Sequence, residues 1–100
     1  MSDEQLARKA RLAAALSEVR RDFEARLPDD VSQLLRLLDE GQREAAHALA
    51  HRLAGAGKLF GHPEVTDLAR QLEGMLTPGE PAPDQYALQQ LLHALLQSVR

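Results

Sequence analysis

Apolar residues recur along this chain in steps of three and four, and the steps group into five stripes. Leu12, Leu16, Val19, Phe23 and Leu27 form the first, and Val31, Leu34, Leu35 and Leu38 the second. Ala46, Leu49, Ala50, Leu53, Gly57 and Phe60 form the third, and Val65, Leu68, Ala69, Leu72, Met75 and Leu76 the fourth. The fifth runs through Ala87, Leu88, Leu91, Leu92, Leu95, Leu96 and Val99. Such a period puts each set on one side of an α-helix, with polar residues opposite, so each stripe is expected to be one buried face. No segment sustains the two-residue alternation of a strand, and none is expected.

Helix breakers punctuate the stripes. Pro28 suits the first turn of a new helix, with Asp29 and Asp30 near its positive end. Gly41 stands where a left-handed residue closes a helix. Pro63 fits another first turn, and Asp84, after Pro78, Pro81 and Pro83, fits an N-cap. The short connections favour antiparallel neighbours. The expected fold is all-α: an antiparallel up-down four-helix bundle with an additional N-terminal helix or helical extension. Residues 1–27 are the N-terminal helical segment, about 20–99 the core, and 1–100 a single domain. The segment from residue 3 to 27 either extends the second helix with a kink at Pro28 or packs as a separate arm.

Composition sharpens this picture. Four Val, two Thr and no Ile leave a core of Leu and Ala, both strong helix formers. The absence of cysteine excludes disulfides and thiolate chemistry. No apolar run approaches the ~20 residues of a membrane span. The start Met1-Ser2-Asp3-Glu4 lacks the pattern of a secretory leader. A cytoplasmic protein is therefore expected. A net charge of −3 argues against nucleic-acid binding. The early basic residues Arg8, Lys9, Arg11, Arg20 and Arg21 alternate with acids and read as a solvated helix face. Proline and glycine interrupt the leucine stripes before three heptads accumulate, so a compact monomer is expected rather than a coiled coil.

The stretch from Ala50 to Gly61 is the informative one. Two glycines within a helix, Gly55 and Gly57, cost about 1 kcal/mol each relative to alanine, which suggests a steric purpose. At 100° per residue, His51 points away from the buried stripe, with Ala54 and Gly55 one turn along on its own face. Gly57 falls on the buried stripe, where it allows close helix approach. Gly55 thus clears space around an exposed imidazole, as phosphoryl transfer to that ring requires, because the donor must approach in line. The incoming negative charge calls for a cation, and Lys58, two turns along, or Arg52 can supply it. A neutral imidazole is a competent nucleophile without a dedicated base. Its second nitrogen needs a partner to fix the tautomer: Glu73 on the next helix, or as second choice Gln71.

The order His51, Leu53, Gly55 and then Gly61 resembles the core signature of histidine-containing phosphotransfer domains. The run from Asp67 to Glu73 is similar to that family's next helix. The likeness covers about residues 20 to 99. It implies a four-helix bundle whose His51 accepts a phosphoryl group from a receiver-domain aspartate or a kinase and passes it to another receiver aspartate. It implies as partners a response-regulator receiver domain, a hybrid sensor histidine kinase, or both. It implies no cofactor on this chain, with Mg2+ held by the receiver. Most members carry a lysine three residues after the histidine, where this chain has Ala54. No nucleotide-binding loop is present, so a phosphohistidine carrier is expected rather than a self-sufficient enzyme. The alternative reading is a non-catalytic helical adaptor that docks signalling partners.

The other histidines receive plainer readings. His47 and His51 have the spacing of a helical zinc pair, but no third ligand is evident and no metal is expected. His62 is expected to serve its turn, and His93 to lie on the polar side of the last helix.

Overall fold

The computed structural model describes residues 2–99. Four helices follow one another: α1 (Asp3–Asp39), α2 (Arg43–Leu59), α3 (Pro63–Met75) and α4 (Gln85–Gln97). No strand occurs among the described residues. Each helix packs on its sequence neighbours, and α4 closes the ring against α1. This is the antiparallel up-down bundle expected from the stripes. Phe23, Leu27, Val31 and Leu34 of α1 meet Leu49, Leu53, Val65, Leu72, Leu76, Leu88, Leu92 and Leu95 in one core. Burying each such side chain contributes about 1.5–3 kcal/mol.

The helix ends follow local chemistry. Ser2 caps α1 in a capping box with Gln5. At the other end Gly41 takes a φ of 72°, and the amide of Gln42 bonds back to the Leu37 carbonyl at 2.7 Å. Asp84 caps α4 by accepting from the Tyr86 amide at 3.0 Å.

Two expectations need correction. Pro28 does not open a helix: α1 runs through it for 37 residues. A proline inside a helix removes one hydrogen bond and crowds the preceding turn, at a cost of about 3 kcal/mol. Phe23 and Leu27 before it, and Val31 and Leu34 after it, are buried on one face and hold the helix across the break, while Pro28 itself is exposed. The N-terminal segment is thus a helical extension, not a separate arm. Nor does the first stripe form one buried face. Leu12, Leu16 and Val19 remain 61%, 57% and 42% exposed, because α1 outruns the shorter helices beside it. The molecule measures 58 × 23 × 18 Å as a result. Leu35 in the second stripe is also exposed.

Candidate phosphoacceptor site on α2

The contact between α2 and α3 is set by two small features. A Cβ on Gly57 would lie 2.7 Å from Thr66 Oγ1, 2.9 Å from its amide nitrogen and 3.0 Å from the His62 carbonyl, so only glycine fits. The hydroxyl of Thr66, a buried polar group, donates to the Ala54 carbonyl at 2.8 Å. The two helices are thereby pressed together just beyond His51. Gly61, at a φ of 76°, ends α2, and the His62 amide bonds back to the Gly57 carbonyl at 2.7 Å. That tight turn starts α3 on its antiparallel return.

This geometry brings Glu73 of α3 against His51 of α2. The Nδ1 of His51 lies 2.6 Å from Glu73 Oε2. A carboxylate accepts and does not donate, so the contact requires the proton on Nδ1, which in the neutral ring leaves the lone pair on Nε2. The His51 side chain is 73% exposed, whereas Glu73 is only 23% exposed. The ring is held from beneath and open above. Gln71, the second choice, is exposed and makes no bond to His51.

His47, one turn earlier, places its Nε2 3.9 Å from the same Glu73 oxygen. That is too long for a hydrogen bond, although the two groups share one side of the α2/α3 seam. Sequence spacing paired His47 with His51, but only the antiparallel register reveals the shared carboxylate. No cluster suited to a metal occurs among the described residues.

Gly55 is exposed, and a Cβ added there would meet nothing within 4 Å. The fold makes no demand for glycine at this position. Ala54 differs from its expected place: it is buried beside Ala50 and Leu53, because α3 closes over that side of the helix. Lys58 is exposed and lines a shallow hollow with Gly61, Thr66, Asp67 and Arg70. Arg70 is three residues before Glu73 and escaped the sequence reading; nothing in its spacing linked it to α2. Arg52 stands toward α1, where its charge is felt by Asp30. Burial raises the Asp30 pKa above the ordinary aspartate value, against the lowering influence of Arg26 and Arg52.

His62 fills a structural position. Its Nε2 lies 2.8 Å from Glu24 Oε1, and its ring packs 5.6 Å from that of Phe23. The donation to Glu24 uses the Nε2 proton, so Arg20, 3.5 Å from Glu24, pairs with the carboxylate and not with the ring. The turn is tied to α1 in this way. His93 is exposed on α4.

A protein-family model described as the Hpt domain matches residues 18–100. This chain belongs to the Hpt domain family. Its four-helix fold agrees with that membership, and the Hpt domain has a histidine phosphotransfer role in phosphorelays. An Hpt domain is a phosphocarrier, not an enzyme in the usual sense. No curated protein and no solved structure matches the chain at a significant level. No helix among the described residues is long and apolar enough to cross a membrane.

Proposed function

We propose that His51 of this Hpt domain accepts a phosphoryl group from a receiver-domain aspartate or a kinase and returns it to another receiver aspartate. The observation that carries this reading is the 2.6 Å contact from Nδ1 to Glu73 on an otherwise exposed ring. In the forward step the Nε2 lone pair attacks phosphorus. A nitrogen–phosphorus bond forms, the acyl phosphate oxygen–phosphorus bond breaks, and the receiver carboxylate leaves. The Nδ1 proton stays between the ring and Glu73, whose negative charge stabilises the cationic ring as the new bond forms. Return to a receiver runs the same exchange backwards. The Mg2+ that assists belongs to the receiver, and this chain needs no cofactor of its own.

Gly55 supports the reading because its bare surface meets no demand from within the molecule. A visiting receiver loop is what would use the space. Lys58 and Arg70, which line one hollow at the α2/α3 seam, are the cations this reading assigns to the incoming charge. In the antiparallel register Arg70 lies between Glu73, opposite His51, and Thr66, opposite Ala54. On this reading it serves where the family's lysine is missing from position 54. Replacing either cation with alanine is expected to slow transfer about 10-fold or more without unfolding the domain.

The test is transfer from a phosphorylated receiver domain. Wild type should acquire acid-labile phosphate, and His51→Gln should acquire none while still binding the receiver. Unlabelled wild type, under conditions that label another Hpt domain, would overturn the proposal. Full pathway function in His51→Gln would instead establish the adaptor reading.

A further inference from the structure

Residues 3–22 of α1 are helical but exposed throughout, and the family match begins only at residue 18. A lone helix of about 20 residues is marginal in water unless an amphipathic face is covered. This one carries Leu12, Leu16 and Val19 uncovered on the stripe that enters the core at Phe23, with Leu6 exposed to one side of it. Pro28 does not interrupt the helix, so the objection to a coiled coil that rests on that proline does not hold here.

We infer that the projecting part of α1 pairs antiparallel with the same segment of a second copy of this chain. The charge pattern and the bundle's bulk select that occupant and that direction. In heptad terms Lys9 and Leu16 occupy one seam position, which Phe23 continues into the core of its own bundle, and Leu12 and Val19 occupy the other. Antiparallel pairing about Ala14 sets Leu12 against Leu16 of the partner subunit, twice by symmetry. The stem of Lys9 then covers Val19 of the partner subunit. Ala13 and Ala15 flank the centre and let the helices approach closely.

At the rim, Arg8 meets Asp22 of the partner subunit, again twice. A parallel pair would bring Lys9 against its own copy and offer Arg8 no acid beyond Glu4 of its own helix, 3.0 Å away. It would also crowd two bundles, each beginning near Phe23, at one end. In the antiparallel pair residue 5 of one copy stands opposite residue 23 of the other, which separates the bundles by about 27 Å along the axis. Leu6 then comes over the partner's Arg20, beside a hollow lined by Leu16, Phe60 and the 76% exposed Leu59. Each copy thus offers an apolar cover that the other lacks. His51 lies outside the pairing, and the inference does not depend on its phosphorylation.

Sedimentation equilibrium of the full chain at micromolar concentrations tests it. The expected mass is twice the 11.0 kDa of one chain. Leu16→Glu should give a monomer whose four-helix core still unfolds cooperatively, since Leu16 lies outside that core, while the uncovered N-terminal segment loses part of its helix content. Arg8→Glu and Asp22→Arg should each weaken association about 10-fold, and the double variant should restore it. A monomeric wild type, association unchanged by Leu16→Glu, or no rescue by the double variant would overturn the proposal.

Discussion

Gly55 and Gly57 sit two positions apart on α2 and answer to different constraints. A methyl group at Gly57 meets the Thr66 amide at 2.9 Å and the His62 carbonyl at 3.0 Å, both backbone atoms that cannot step aside. Gly57→Ala should therefore destabilise the domain by about 1 kcal/mol or more, even after the gain in helix propensity. A methyl group at Gly55 meets nothing, so Gly55→Ala should stabilise by about 0.5–1 kcal/mol. A bulkier Gly55→Leu should keep the fold and lose transfer. Denaturant unfolding beside a transfer assay separates the two effects. Asp30 offers a pH test. Burial raises its pKa in the folded chain, so the folded state binds this proton more tightly than the unfolded one. Its contribution to stability then falls as pH rises through the aspartate range. Asp30→Asn should compare more favourably with wild type at neutral pH than at acidic pH, as thermal midpoints would show. Glu73 was legible in the sequence because an acid one helix away could be weighed against one histidine. The burial of Ala54 and the place of Arg70 were not. A helical wheel divides a face from its opposite, but it cannot tell how far α3 closes over the edge.

At the scale of the helices, Pro28 and Arg43 show how tertiary contacts overrule local signals. Proline with two following aspartates reads as a helix start, and the flanking core residues override it. Because Pro28 is exposed and the helix continues, Pro28→Ala should raise stability by about 1–3 kcal/mol in denaturant unfolding. Arg43 had no sequence signature at all. Its guanidinium donates to the Met75, Leu76, Thr77 and Pro81 carbonyls at 3.1–3.3 Å, closing the C-terminal end of α3 and holding the strand of loop that leads to α4. Arg43→Ala leaves part-buried carbonyls without donors and should cost about 2 kcal/mol. These bonds span more than thirty residues of sequence, which is why periodicity could not foresee them. The caps at Gly41, Pro63 and Asp84, by contrast, depend only on neighbours and were readable directly.

For the molecule as a whole, the all-α bundle followed from stripe period and breaker spacing, because each helix buries a face wide enough to specify its packing. The reach of α1 beyond the bundle did not follow, since an apolar stripe looks the same whether its cover is in the same chain or elsewhere. The phosphotransfer account depends on one division of labour within His51: Nδ1 keeps its proton on Glu73, and Nε2 takes the phosphoryl group. Nitrogen-15 and phosphorus-31 NMR of the domain after exposure to a phosphorylated receiver reads this directly. Phosphorus coupled to Nε2 of His51, with a proton retained on Nδ1, is the expected result. Phosphorus on Nδ1, or on a different residue, would contradict it.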